Sequence, residues 1–192
     1  MGESERAKGT QLGNSLGDEM STITQEQTAA IAAKLEGMTL PSGLGDEHAA
    51  CSIAAINLAL TGRLTDEIPP CMSAVIGQWI IGVQDAMPHD MRNSARWKSL
   101  LPLAAGTGRD HEQERLALLL DWMWGTVLPS AQPIADQNGF GGEWLTMITK
   151  RTARAAAEAE AAWAAARAAA AAWGRFDPCS LLEQLIAQGE KK

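Results

Sequence analysis

The chain has 192 residues, 46% of them hydrophobic and 20% charged, which is globular composition and length enough to bury a core without covalent staples. A net charge of −7 and a pI near 5.0 argue against nucleic acid as a partner, because such binders neutralise phosphates with a basic face. Three cysteines, Cys51, Cys71 and Cys179, make no secreted-type disulfide framework, and no apolar run reaches the roughly 18–20 residues that span a bilayer.

Met1 to Met20 carries four glycines among polar residues. It has neither an apolar period nor the look of a signal peptide, and is expected to be a flexible tail on a cytoplasmic protein with no membrane partner. Residues 21–192 are expected to form a single helical domain. Thr24-Gln-Glu-Gln27 has the form of a capping box, predicting a helix with Ile31 and Leu35 inward and Gly37 as its stop. A second helix is expected to start near Asp46 and to present Ala49, Ile53, Ile56 and Leu60 as one stripe before Gly62. Pro69 and Pro70 then keep 65–70 out of helix.

Met72, Val75, Ile76, Trp79, Ile80, Val83 and Met87 recur at helical spacing, which predicts the central helix of the core, closed by Pro88. Trp79, mid-stripe, is expected to be deeply buried. Ser94 can cap a short helix through Trp97, Leu100 and Leu101. Asp110 opens another, with Leu116, Leu119, Leu120 and Met123 on its inner side and Gly125 and Pro129 ending it. Ser130 to Gly142 reads as a long loop. Glu143 begins the longest helical stretch, running to about Trp173. Fifteen of the twenty residues between Ala153 and Ala172 are alanine, the strongest helix former. Asp177-Pro178 is a helix start, with Leu181, Leu182, Leu185 and Ile186 inward.

Several segments share a pattern. Cys51-Ser-Ile-Ala-Ala-Ile-Asn-Leu-Ala-Leu-Thr-Gly62 is followed by Thr65-Asp66 and Pro69-Pro-Cys71, then by Val83-Gln-Asp85-Ala-Met-Pro88, Leu100-Leu-Pro-Leu-Ala-Ala-Gly-Thr107 and the helix Asp177 to Ile186. Together they resemble an uncharacterised family of small helical bacterial proteins with a Cys…Gly…(Ser/Thr)-Asp-x-x-Pro-x-Cys pattern. The resemblance implies the fold class and no activity, and it places Cys51, Asp66 and Cys71 within the pattern. On its strength alone Cys51 and Cys71 are expected to be near neighbours. That requires the 62–70 connection to run back along the preceding helix. A plain hairpin would leave the two about 15 Å apart, ten residues at roughly 1.5 Å each.

Four constellations could carry chemistry or bind an ion. His48 and Cys51, three apart on the expected helix, could hold zinc or another divalent metal with Cys71, although free cysteines are more often buried packing residues. His48, His89, Asp90 and Asp121 follow the order of the all-α HD phosphohydrolases, which use His and Asp to hold a water-activating metal. Against this, His89-Asp90 after Pro88 suits a solvated turn. A cysteine paired with a histidine could form a nucleophilic dyad, but no local signature selects one. Asn138-Gly-Phe-Gly-Gly142 precedes a helix whose N-terminus could attract an anion, although its glycines suit a turn.

Seven tryptophans stand against two phenylalanines and no tyrosine. Trp122 and Trp124, two apart, point to different sides of a helix and could meet a ligand or partner. The alanine tract could serve as the seam of a homo-oligomer, although it lacks the large residues a coiled coil wants. The expectation is an all-α irregular bundle of about six or seven helices with one long alanine-rich helix. Its expected role is that of a non-enzymatic binding or interaction protein for a protein partner or a small metabolite, with Asp66, Trp122 and Trp124 as contact residues and no cofactor. The alternative is the metal-dependent helical phosphohydrolase.

Overall fold

The computed structural model describes residues 23–151 and 177–189. Of these, 67% are helical and none forms a strand, so the fold is all-α. An isolated bridge pairs Gly45 with Ala50. No helix among the described residues is long and apolar enough to cross a membrane. The expected tail over 1–20 and the alanine tract over 153–172 lie outside the described residues.

Side-chain caps set the starts of five helices among the described residues. Before α1 (Gln25–Glu36), Thr24 Oγ1 accepts from the Gln27 amide at 3.1 Å and Gln27 Oε1 accepts from the Thr24 amide at 2.8 Å, a complete capping box. Cys51 Sγ caps α2 (Ser52–Thr61), and Gly62 ends it at φ +71°. Ser73 caps α3 (Ala74–Ala86). After the single turn α4 (His89–Arg92), Ser94 caps α5 (Ala95–Ala105). Then come α6 (Glu112–Trp122), a π-helical turn (Met123–Val127), α7 (Leu128–Ser130), α8 (Gln132–Gln137) and α9 (Gly141–Lys150). Asp177 caps α10 (Pro178–Ala187), accepting from the Ser180 amide at 3.1 Å.

The main core joins α1, α2, α3, α5 and α10 through Ile31, Leu35, Ile53, Ile56, Ile76, Ile80, Trp97, Leu101, Leu182 and Leu185. A smaller cluster of Leu128, Ala135, Trp144 and Met147 ties α7, α8 and α9 together. Buried polar groups stitch the connections to the core. The Ser52 amide donates to Gln84 Oε1 at 2.5 Å, Trp97 Nε1 donates to Ser52 Oγ at 3.1 Å, and Arg92 donates to the carbonyls of Leu40, Gln84 and Met87.

The structure corrects several expectations. The second helix begins at Ser52, not near Asp46, because Gly45 at φ +79° and its bridge to Ala50 reverse the chain first. Asp46 accepts from the His48 and Ala49 amides, which pulls its pKa down, but it caps a turn rather than a helix. The 130–142 loop is largely helical, because Pro129 and Pro133 sit in the first turns of α7 and α8, where proline lacks no needed donor. The stretch from Glu143 is interrupted, since α9 ends at Lys150 with Arg151 at φ +48°.

Trp79 is only half-buried. It lies 6.1 Å, centroid to centroid, from Trp97, and Trp97 is the ring fully enclosed by the core. On α6, Leu116 and Leu120 face outward at 46% and 43% exposure while Arg115 is fully buried. The Arg115 guanidinium turns inward because it donates to the carbonyls of Thr107, Gly108, Asp110 and Leu185, at the open ends of α5 and α10.

Candidate functional site

The site grows from the end of α2. Gly62, in the left-handed region that glycine tolerates, reverses the chain there. Asn57 then captures the returning segment: its Nδ2 donates to the carbonyls of Thr65 at 2.7 Å and Glu67 at 2.8 Å. Thr65 Oγ1 accepts from the Glu67 amide at 3.2 Å and tightens the turn. Ile68 lies flat on Gly77 of α3, where an added Cβ would come within 2.5 Å of it. Pro69 and Pro70 carry the chain on to Cys71, whose carbonyl accepts from the Gly108 amide at 2.8 Å.

Between this segment, the second half of α2 and the start of α1 lies a cleft of about 450 Å³. Leu60, Ile68, Pro69 and Ile23 supply its apolar surface, and Asn57, Arg63, Thr65, Glu67 and Gln27 its polar groups. Asn57 is 4% exposed. Both protons of its amide are committed, while its Oδ1 accepts no hydrogen bond from a described residue and is not sealed from solvent. Neither the Arg63 guanidinium nor the Glu67 carboxylate has a hydrogen bond or ion pair within the described residues. The cleft thus offers one acceptor, one cation and one anion, all uncommitted, around an apolar floor.

Cys71 also lines the cleft. Burial pushes its thiol pKa up, against the pull of its own amide and of Arg109. Burial likewise raises Cys51, with Asp66 and Asp85 adding to the effect. Both stay protonated at neutral pH, whereas the thiolate is the nucleophilic and metal-binding form. Nor are the two adjacent. Ser52 at the start of α2 meets Gln84 at the end of α3, so the helices run antiparallel. Cys71, just before α3, shares the cleft with Leu60 and Thr61 at the end of α2 opposite to Cys51. The connection does fold back, but only as far as Asn57 before it returns to α3.

The other residues singled out in the sequence are dispersed. His48 lies exposed in the Asp46 turn and so does not share a helical face with Cys51. Among the described residues no three His, Cys, Asp or Glu side chains are grouped to hold a metal. His89 and Asp90 are exposed on α4 and contact each other at 3.4 Å. Asp121, on the last turn of α6, pairs instead with Arg151 at 3.8 Å. Asp66 is exposed between two cleft residues but does not itself line the cleft. Trp122 packs half-buried on the main core and Trp124 on the smaller cluster, so the pair does point to different sides; Arg151 lies 6.0 Å over the Trp124 ring. Gly139 turns at φ +83° and the Gly141 position is filled to contact by Asp136, so these two glycines serve the turn into α9.

Asn57, Arg63 and Glu67 were not among the residues singled out. A signal for Asn57 was present, an amide alone in the apolar run Ile53 to Leu60, since a buried amide needs partners. The chain matches no family model, and no curated protein or solved structure matches it either.

Proposed function

We propose that the protein acts by binding a small molecule in the cleft between α1, α2 and the 63–71 segment. The observation that carries this reading is Asn57, a residue buried and anchored through its Nδ2, with its Oδ1 uncommitted, that lines a cavity of about 450 Å³. That oxygen is open to solvent and engaged by no described residue, so it is available to a ligand donor. The volume falls within the range of small-ligand sites, as does the plan of an apolar lining with a few placed polar groups.

A ligand-observed NMR screen of neutral and charged fragments tests the proposal, run on the protein and on Thr61→Trp, which fills the cleft from an exposed helical position. The expectation is fragment binding to the protein, and its loss in a variant of unchanged melting temperature. Fragments that bind both proteins alike, or neither, would overturn it.

A further inference from the structure

We infer that the ligand of this cleft is a small zwitterion with an apolar body, a free amino acid or a dipeptide, its carboxylate held by Arg63 and its ammonium by Glu67 and Asn57 Oδ1. This rests on the cleft being a ligand site and adds the ligand's chemistry. Asn57 Nδ2 donates to the Glu67 carbonyl at 2.8 Å, so the amide acceptor and the Glu67 residue share one wall. Arg63 enters four residues earlier, just past the Gly62 reversal. Arg63 and Glu67 line the same cleft yet form no ion pair with each other or with any described residue.

Opposite charges left unpaired around one cavity select for charge on both ends of what fills it. A simple anion would meet Glu67, a simple amine would meet Arg63, and each would be disfavoured by the like charge. Leu60, Ile68 and Pro69 between them suit an aliphatic side chain. Arg63 and Glu67 are exposed, so water screens each contact, and losing one is expected to weaken binding by about two- to fivefold.

The test is a titration of the ¹⁵N-labelled full chain with L-leucine, L-leucyl-L-leucine, 3-methylbutylamine and 4-methylpentanoate, following the Asn57 side-chain amide and the backbone amides of 63–67. The expectation is that one or both zwitterions shift these signals and bind at least about twofold more tightly than either single-charge compound. Whether leucine or the dipeptide binds better separates the two sources. Arg63→Gln is expected to make the preferred zwitterion no better than the amine, and Glu67→Gln to make it no better than the acid. Single-charge compounds that bind as tightly as the zwitterions would overturn the inference. So would fragments that bind the cleft while both zwitterions leave it unshifted, and in that case the cleft would still stand as a ligand site. Silence from fragments and zwitterions alike would overturn both.

Discussion

Asn57 sits between Ile56 and Leu58 on a helix whose other inward residues, Ser52 at its start apart, are apolar. Its amide therefore finds its partners in the chain that returns past Gly62. Asn57→Ala is expected to release that segment and lower stability by about 1–3 kcal/mol, because two backbone carbonyls lose their donors, as urea unfolding would show. In the core, Trp97 is fully enclosed and donates to Ser52 Oγ, whereas Trp79 is half-buried against it. Trp97→Ala is expected to cost about 3–5 kcal/mol and Trp79→Ala clearly less. Equal losses in the two variants would contradict the burial described. Periodicity alone pointed to Trp79, because it sits on the longest stripe. That stripe says which face turns inward but not which ring on it is covered from above.

At the scale of elements, α3 and α6 are joined by a cap supplied from a distance. The Glu112 carboxylate on α6 accepts from Ser73 Oγ at 2.8 Å and from the Ala74 and Val75 amides at 2.7 and 3.2 Å, filling the N-terminus of α3. Glu112→Gln is expected to lower the unfolding free energy by about 1–2 kcal/mol, the usual worth of a charged cap, measured by urea titration.

Docking of α10 on α5 is expected to depend on pH. Asp177 accepts from Ser180 and pairs with Arg96 at 2.8 Å. Burial alone would raise its pKa, but the Ser180 hydroxyl, Arg96 and the Ser180 amide together hold it down at about 2, against the usual 3.8. Its folded pKa is therefore the lower one. Its contribution is present in full above the unfolded value and is lost as the pH falls through about 2. The effect is modest, since both side chains are about half exposed. Urea midpoints of the protein and of Asp177→Asn are expected to differ at pH 5 and to converge towards pH 2. A constant difference would show that the carboxylate charge is not responsible.

Elements with local signals were legible in the sequence: the Thr24–Gln27 capping box, Ser94, the Gly62 stop and Asp177-Pro178 all act where they were read. Those decided by longer contacts were not. Asp46 resembles a cap, but the Gly45–Ala50 bridge takes precedence, and Arg115 displaces leucine from the inner side of α6 because carbonyls of the 107–110 connection and of α10 await it.

Across the whole molecule, the all-α core is a frame that holds the 63–71 segment away from α1 and leaves a cleft between them. That cleft was not legible, because it exists only once the connection has folded back to Asn57 and returned to α3. Its charged residues lie between prolines and glycines, where sequence shows a turn and nothing more. The dispersal of His48, His89, Asp90 and Asp121 was equally hidden, since their order along the chain carries no distance.

The measurement that bears most directly on the account is the NMR position of the Asn57 side-chain amide while a small-molecule mixture is titrated into the ¹⁵N-labelled chain. Binding in the cleft would move it together with the backbone amides of 61–71 and leave those of α9 in place. Ligands that shift α6 or α9 while the Asn57 amide stays still would contradict the account.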